Sequence, residues 1–214
     1  MTERVVVVGA GGFGRETLDV IAAINADDPQ PTIHLVGVLD DAPSDLNLTR
    51  LASLGVEHLG SIENWLDGGD PALFAVAIGS PSVRAAIAAR FESRGATAVT
   101  LIHPSALLGS EVQFGDGVIV CAGAVISTNV RIGNHAHVNP HVTIGHDTEL
   151  GGCVSVNPAA TISGDVTVGS GALIGAGAVI LEGLKVGSGS IVGASACVVR
   201  SVPDGVTVKG VPAR

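Results

Sequence analysis

Aromatic residues are scarce in this sequence, where they make up 2% of 214 positions as four Phe, one Trp and no Tyr. A protein that binds single-stranded nucleic acid by stacking needs aromatic side chains, so their scarcity argues against that class. Charged residues are also few, at 14%, and the formal net charge is −9. The chain therefore lacks the basic surface that binding to DNA, RNA or anionic lipid requires.

Cysteines and long apolar runs are scarce as well. The three cysteines, Cys121, Cys153 and Cys197, are widely spaced and form no CxxC motif, which argues against a disulfide framework or a cysteine zinc site. The apolar run from Val5 to Val8 is too short for a signal peptide or a membrane span. We therefore expect a cytoplasmic protein whose thiols are reduced.

The second half of the chain contains a six-residue repeat. Every sixth residue is aliphatic or Phe, without an insertion: Ile102, Leu108, Phe114, Val120, Ile126, Ile132, Val138, Ile144, Leu150, Val156, Ile162, Val168, Ile174, Ile180, Val186, Val192 and Val198. This period fits neither a helix nor simple alternation, but it suits short strands that meet at turns and stack as coils around a narrow core. The pattern resembles the left-handed parallel β-helix of hexapeptide-repeat proteins. A narrow core also explains why large aromatic rings are missing.

The first hundred residues alternate between strand and helix patterns. We predict strands at 4–9, 33–39, 73–78 and 96–100, and helices at 15–26 and 82–94. This order predicts a small Rossmann-like parallel sheet with helices. The repeat begins just after this segment, so the predicted domains are 1–100 and 101–214. We expect the first domain and the C-terminal tail to cover the open ends of the β-helix.

A glycine turn follows the first predicted strand. Gly9, Gly11 and Gly14 match GxGxxG between a strand and a helix, where backbone N–H groups can approach a phosphate. Asp40 and Asp41 follow the second strand, where a carboxylate can accept a hydrogen bond from a ribose hydroxyl or a base. The alternative for the glycines is a turn that is needed only for packing. The alternative for Asp40 and Asp41 is a solvated turn at the end of the strand. The domain is too small for a full dinucleotide fold, so we predict a nucleotide ligand other than NAD.

Both halves together resemble the sugar-nucleotide acyltransferases of the NeuD/PglD (sialic acid O-acetyltransferase-like) family. The resemblance covers nearly the whole chain and rests on VVVVGAGGFGRE, VGVLDD, AIGSPSVR, IHPSA, the repeats, the His146-Asp147 pair and the ending GVPAR. It implies transfer of an acetyl group from acetyl-CoA to an amino group of a nucleotide-linked sugar, in surface-polysaccharide or glycan precursor synthesis. It also implies a homotrimer without a metal.

The resemblance also implies roles for individual residues. His146 matches the general base, which would take a proton from the sugar amine, and Asp147 would orient its ring. The family's acetyl-CoA channel, between neighbouring subunits, corresponds to Ser155, Gly164, Ala176, Ala194, Gly210, Val211 and Pro212. The nucleotide-sugar site corresponds to Gly9, Gly11, Gly12, Phe13, Gly14, Asp40, Asp41, Gly79 and Ser80. Phe13 and Ser155 depart from the polar or His residues that many relatives carry, and Lys185, Arg200, Lys209 and Arg214 are candidate contacts of the CoA phosphates.

The other histidines have simpler expected roles. His103 lies in the IHPSA junction and is predicted to be structural. His135, His137 and His141 are predicted to lie exposed on the faces of the prism, with His141 a candidate for the same groove between subunits as His146.

Alternatives to N-acylation stay open at this point. The family includes O-acylation of a sugar hydroxyl, and a nucleotide-sugar-binding protein without catalysis fits the same motifs. His141 and His146 have the five-residue spacing of the zinc ligands in γ-class carbonic anhydrases. A cysteine acyl-enzyme through Cys121, Cys153 or Cys197 is a further alternative, although small buried side chains are the simpler role for them. The sequence does not specify the sugar, the nucleotide or the acyl chain.

Overall fold

The computed structural model describes residues 2–214, and the first part of the chain is a parallel sheet with helices. Its strands are β1 (Glu3–Val8), β2 (Ile33–Leu39) and β3 (Leu73–Val76), in the order β2-β1-β3. Its helices are α1 (Gly12–Asp27), α2 (Asp45–Ser53), α3 (Ile62–Gly68) and α4 (Pro81–Ser93). This architecture confirms the predicted small α/β sheet.

Both faces of this sheet are buried, which explains the unbroken apolar run of β1. Val5 and Val7 pack in one cluster with residues of α1. Val6 and Val8 pack on the opposite face with residues of α3 and α4. Strands that are covered on both faces lose the alternation of apolar and polar residues, as expected for a parallel sheet between helices.

Two helices and one strand differ from the prediction. Helices α2 and α3 were not predicted, although each follows a serine, Ser44 and Ser61, whose side chain accepts a hydrogen bond from a backbone N–H three residues on. The predicted strand at 96–100 is wrong, because this segment forms only an isolated parallel bridge between Ala98 and Phe74. The chain there leads directly from α4 into the second part.

Residues from 101 onward form a parallel β-solenoid of short strands. These strands are β4 to β21 in chain order: Leu101–Ile102, Leu107–Leu108, Gln113–Phe114, Ile119–Val120, Val125–Ile126, Arg131–Ile132, His137–Val138, Thr143–Ile144, Glu149–Leu150, Ser155–Val156, Thr161–Ile162, Thr167–Val168, Leu173–Ile174, Val179–Ile180, Lys185–Val186, Ile191–Val192, Cys197–Val198 and Thr207–Val208. They stack as three sheets of seven, six and five strands, which we call the seven-, six- and five-stranded faces. The repeat thus forms the predicted prism, consistent with a left-handed β-helix.

The repeat positions point into the prism, as predicted. The aliphatic residues from Val120 to Val198 in the sixfold series are buried, and so are most of the residues four positions after them, such as Ala124 and Val142. The first coil is less covered, because Leu108 is exposed and Ile102 and Phe114 are only partly buried. The first end of the prism therefore remains open in one chain.

The α/β part does not cap this open end, which corrects one expectation. It packs instead against the outer surface of the seven-stranded face, where the outward residues Leu101, Ile119 and Cys121 join the cluster of α1. The tail covers the other end, as expected: β21 (Thr207–Val208) extends the seven-stranded face, and the N–H of Ala213 donates to the carbonyl of Cys197 at 2.7 Å.

The corners of the prism have a common backbone feature. The third residue after an inward residue adopts a left-handed conformation at many corners, with φ of 56° at His135, 58° at His141 and 58° at Asp147. Asn, Asp and His tolerate this conformation better than most non-glycine residues. The residue types at these corners thus follow partly from the turn itself. No helix in the described part of the chain, residues 2–214, has the length and apolar character needed to cross a membrane.

Candidate active site

His146 and Asp147 lie at the corner between β11 (Thr143–Ile144) and β12 (Glu149–Leu150), where the six- and five-stranded faces meet. Nδ1 of His146 is 2.8 Å from a carboxylate oxygen of Asp147. Because the carboxylate can only accept, Nδ1 carries the proton and donates, which leaves Nε2 with a free lone pair. The side chain of His146 is 51% exposed, so this nitrogen is open to a ligand.

Two neighbours fix this pair. Nδ2 of Asn129 donates to Asp147 at 2.6 Å from the preceding coil. This hydrogen bond, followed by that from His146, lowers the pKa of Asp147 below its usual value. On the following coil the His146 ring lies against Gly164, where an added Cβ would come within 2.5 Å of the ring atoms. The pair therefore has a charged carboxylate beneath the imidazole and a glycine that leaves room for the ring.

The carboxyl ends of β1, β2 and β3 form a second candidate site. The loop of residues 9–14, which we call the glycine loop, follows β1, and its Gly9 has a φ of 116°. An added Cβ on Gly14 would lie 1.8 Å from the carbonyl oxygen of Gly9, whereas Gly11 and Gly12 face open space. Close packing thus explains the glycines at positions 9 and 14. Gly11 and Gly12 instead leave space in which a ligand can approach the backbone. A crevice at this edge, where the strand order reverses beside the first strand, is where open α/β sheets bind ligands.

Asp40 and Asp41 follow β2 and are engaged within the chain. One oxygen of Asp40 accepts from the N–H of Ala10 in the glycine loop at 2.8 Å. Asp41 accepts from the N–H of Ile62 at 2.8 Å, at the start of α3. Asp40 therefore holds the glycine loop, and Asp41 caps a helix, whatever ligand contacts they also make.

The second loop of the crevice contains Gly79 and Ser80, between β3 and α4. Ser80 precedes the first residue of α4, and an added Cβ on Gly79 would meet no atom within 4 Å. Phe13, from the glycine loop, stacks on His137 of the prism with ring centroids 4.4 Å apart. The crevice is thus bordered by two loops, and one of them rests on the solenoid.

The two candidate sites lie on opposite sides of a single chain. The α/β part covers the seven-stranded face, whereas His146 occupies the corner between the other two faces. In a triangular prism that corner is opposite the covered face. A site that uses both the crevice and His146 must therefore combine two chains.

The residues predicted for the acetyl-CoA channel have different surroundings. Ala176 and Ala194 are exposed one coil apart at the corner that follows the seven-stranded face, and Gly210, Val211 and Pro212 are exposed in the tail. Gly164 is buried beneath the His146 ring. Ser155 is buried in the contact between the two parts of the chain, and its hydroxyl donates to the carbonyl of Gly79 at 3.2 Å. Ser155 is therefore closed off from the channel within one chain.

Two histidine predictions are wrong. His135 and His137 were expected to be exposed, but they are 4% and 1% exposed because the α/β part covers their face. Nε2 of His135 contacts Glu92 at 2.8 Å, and burial strongly lowers the pKa of His137. His141 is exposed at its corner, and Nδ1 of His103 accepts from the N–H of Ser105 at 3.0 Å.

The alternatives involving zinc and cysteine gain no support from side-chain positions. His141 and His146 lie at two different corners, and residues 2–214 contain no group of three His, Cys, Asp or Glu side chains arranged for a metal. Burial raises the pKa of the Cys121 thiol to about 12 and also raises that of Cys153. A thiol needs the opposite shift to act as a nucleophile at neutral pH.

Arg84 is the residue that sequence reasoning missed. It is 0% exposed, and its guanidinium bonds to the second crevice loop and to the solenoid. Arg84 lies in the motif AIGSPSVR, but an arginine on a helix is usually exposed. No periodic pattern in the sequence indicated that this one is buried. The apolar outward residues Leu101 and Ile119, which are eighteen positions apart, were the available signal that this face is covered.

The fold and the two sites define an acyltransferase of the hexapeptide-repeat type with an added α/β domain. The model of the PglD N-terminal domain family matches residues 4–91. A point mutant of perosamine N-acetyltransferase from Caulobacter crescentus, solved with CoA and GDP-perosamine, is 32% identical over 100% of this chain and 97% of its own, with a TM-score of 0.86. The chain therefore belongs to the NeuD/PglD-like sugar acyltransferase family.

Two further solved structures support this family membership. The acetyltransferase domain of PglB from Neisseria gonorrhoeae, in complex with acetyl coenzyme A, is 28% identical over 100% of this chain and 99% of its own, with a TM-score of 0.85. WeeI from Acinetobacter baumannii is 28% identical over the same shares, with a TM-score of 0.83. The comparison with curated protein sequences gives no match.

Proposed function

We propose that this protein transfers an acetyl group from acetyl-CoA to an amino group of a nucleotide-linked sugar. The observation that carries the proposal is the imidazole of His146, held by Asp147 with Nε2 free, in a chain that matches an N-acetyltransferase over its full length. We assign the α/β part, residues 1–100, to the nucleotide sugar and residues 101–214 to acetyl transfer. A surface polysaccharide or another glycan is the proposed destination of the product.

His146 acts as the general base in this proposal. The sugar nitrogen attacks the thioester carbonyl carbon while Nε2 of His146 removes a proton from the nitrogen. The C–S bond then breaks, and the imidazolium returns the proton to the leaving CoA sulfur. The carboxylate of Asp147, whose pKa is lowered, stabilises the imidazolium during this step. The acetyl group thus passes directly to the acceptor, without an acyl-enzyme.

The acceptor binds at the crevice of the α/β part. Gly11 and Gly12 leave room for the diphosphate at the N-terminus of α1, and Gly79 and Ser80 border it from the second loop. Phe13 closes the crevice toward the solenoid. Asp40 and Asp41, which follow β2, support the crevice. The carboxylate of Asp40 accepts from the N–H of Ala10 in the glycine loop, and that of Asp41 accepts from the N–H of Ile62 at the start of α3.

The donor binds along the prism, between two chains. The exposed corner residues Ala176 and Ala194 and the tail residues Gly210, Val211 and Pro212 border this path, and Gly164 supports the base. Because His146 lies opposite the crevice of its own chain, the acceptor reaches it from the α/β part of a neighbouring copy. We propose that these copies form the homotrimer that the family resemblance implies, in which the six-stranded face, where Leu107 and Val125 are exposed, is covered.

The proposal is tested by turnover with nucleotide-linked amino sugars. Purified protein is mixed with acetyl-CoA and with UDP-, GDP- or dTDP-linked 4-amino sugars, and free thiol release is followed. We expect release with at least one amino sugar, and a loss of about 10²-fold or more in kcat for His146→Ala. His34→Ala, which changes an exposed histidine on β2, is the matched control and should retain activity.

Three outcomes would contradict parts of this proposal. If His146→Ala retains kcat within a few-fold, His146 is not the general base. If thiol release needs a sugar hydroxyl and proceeds equally with sugars that lack the amine, the enzyme is an O-acetyltransferase. If nucleotide sugars bind but no thiol is released with any acceptor, the protein binds nucleotide sugars without catalysis.

A further inference from the structure

Arg84 has a buried positive charge between the α/β part and the solenoid. Its side chain is 0% exposed, and within residues 2–214 no carboxylate lies within 4 Å of its guanidinium. Burial lowers the pKa of Arg84 to about 10, so it remains protonated at neutral pH. A buried charge without a counter-ion is tolerated only where hydrogen bonds satisfy it, so the arrangement of these bonds indicates its role.

The guanidinium bonds to backbone carbonyls on both sides of the contact. On the solenoid side, Nε donates to the carbonyl of His135 at 2.8 Å and Nη2 to that of Cys153 at 2.7 Å. On the α/β side, Nη1 donates to the carbonyls of Ile78 at 2.6 Å and Gly79 at 3.4 Å. The prism therefore anchors the guanidinium, and the guanidinium in turn holds the second loop of the crevice.

Ser155 completes this arrangement. Its Oγ accepts from Nη2 of Arg84 at 2.9 Å and donates to the carbonyl of Gly79 at 3.2 Å. The hydroxyl thus uses both its donor and an acceptor position inside the contact. This placement gives Ser155 a role at the nucleotide-sugar crevice rather than in the acetyl-CoA channel.

The direction of the loop amides follows from these bonds. In a trans peptide the N–H points away from the carbonyl oxygen. Since the carbonyls of Ile78 and Gly79 face Arg84 and Ser155, the N–H groups of Gly79 and Ser80 face the opposite way. Within the described residues neither N–H has a hydrogen-bond acceptor, and the space beyond Gly79 is open. Two free amides therefore point out of the loop beside the first turn of α4.

We propose that Arg84 is a positioning residue, which together with Ser155 turns the Gly79 and Ser80 amides toward the diphosphate of the nucleotide sugar. This inference rests on the proposed function, since the diphosphate is its acceptor substrate. The buried guanidinium also places a positive charge behind the two amides. Because this charge has no carboxylate partner, its field favours an anion at the loop.

The same guanidinium is linked to the glycine loop through His137. Nη1 of Arg84 contacts Nδ1 of His137 at 3.1 Å, and Nε2 contacts the carbonyl of Val76 at 2.9 Å. Because Arg84 can only donate, Nδ1 of His137 accepts, and because a carbonyl can only accept, Nε2 donates. The ring of His137 is therefore neutral, with its proton on Nε2. Its ring supports Phe13. One network thus orients both loops of the crevice against the solenoid.

The test separates nucleotide binding from donor binding. The full chain is titrated calorimetrically with UDP, GDP and dTDP, and KM for acetyl-CoA is measured at saturating acceptor. For Arg84→Lys, which keeps the charge but loses the planar fork, we expect nucleoside diphosphate binding to weaken about tenfold or more. For Ser155→Ala, which removes one bond to Gly79, we expect about threefold. KM for acetyl-CoA should stay unchanged in both variants.

The control is Arg94→Met, at the other end of α4, where the arginine is exposed and pairs with Glu63 and Asp67. Thermal unfolding shows whether each variant is folded, and if Arg84→Lys does not fold, Ser155→Ala decides. Folded variants that bind within twofold of the original chain, or that lose nucleotide and acetyl-CoA binding equally, would overturn the positioning role alone. If the original chain binds none of the three diphosphates, the proposed acceptor site itself is wrong, and the role of Arg84 with it.

Discussion

At the residue scale, the imidazole of His146 has surroundings that are set by neighbouring coils. Asn129, His146 and Gly164 are on three successive coils, and the parallel stacking brings them to one corner. Asp147 adopts a left-handed backbone conformation there, with a φ of 58°. The turn thus places the carboxylate next to the ring to which it is hydrogen-bonded.

Removing the Asn129 side chain should change the ionisation of Asp147. Since the hydrogen bond from Asn129 is the largest cause of the lowered pKa, we expect Asn129→Ala to raise the pKa of Asp147. The carboxylate would then protonate at a higher pH. Carbon-detected NMR titration of the Asp147 carboxyl measures the pKa.

Asn134→Ala, at another corner of the prism, is the control for this experiment and should leave the titration of Asp147 unchanged. In the original chain the depressed pKa means that the hydrogen bonds to Asp147 stabilise the fold above the ordinary carboxyl range. This stabilisation is lost as pH falls through the lowered value. If Asp147 titrates identically in Asn129→Ala and in the original chain, the side-chain amide of Asn129 does not lower the pKa of Asp147.

At the element scale, the glycines of the glycine loop have two different roles, one in packing and one in leaving room for a ligand. Gly14 packs against the carbonyl of Gly9, whereas Gly11 has an ordinary φ of −69° and open space beside it. The same motif therefore contains one glycine that the fold requires and another that leaves room for a ligand. Only coordinates distinguish the two, because both are glycines in the same short turn.

This difference predicts opposite outcomes for two substitutions. Gly11→Val should fold normally but weaken nucleotide-sugar binding about tenfold or more, because the side chain occupies the space above the helix N-terminus. Gly14→Ala should instead lower the thermal unfolding temperature, since its Cβ would lie 1.8 Å from the carbonyl oxygen of Gly9. Calorimetric titration with nucleotide sugar and with acetyl-CoA, alongside thermal melts, measures both effects. Equal loss of both ligands in Gly11→Val would disprove the division into two sites.

At the scale of the whole molecule, the crevice and His146 lie on opposite sides of one chain. The α/β part covers the seven-stranded face, and His146 lies at the opposite corner. The exposed outward residues of the six-stranded face include Leu107 and Val125, whereas those of the five-stranded face are polar, as in the Arg131–Glu149 ion pair. An apolar face next to the corner that holds His146 fits contact between copies of the chain.

Shared sites predict complementation between two inactive variants. His146→Ala and Gly11→Val are co-expressed with different tags, and mixed oligomers are isolated through both tags. If the base and the crevice come from different chains, one of the three interfaces in a mixed cyclic trimer combines the two intact parts, so about a third of the sites in the isolated oligomers should be restored. Acetyl transfer in the isolated oligomers, relative to each variant alone, measures the restoration. Activity no higher than that of the separate variants would mean that each chain forms its own site.

The sequence alone determined the prism, because a narrow core imposes one aliphatic residue in six and excludes large rings. It also determined the three strands of the first part and the helices α1 and α4, and it marked His146 and Asp147 through family resemblance. It did not reveal that His137 and Ser155 are buried, because their burial comes from a contact with residues more than sixty positions away. Which face of the prism the α/β part covers was decided by tertiary packing. That packing buried Arg84 and placed the crevice and His146 on opposite sides of one chain. The sequence could not show this, because contacts between distant surfaces leave little periodic signal in it.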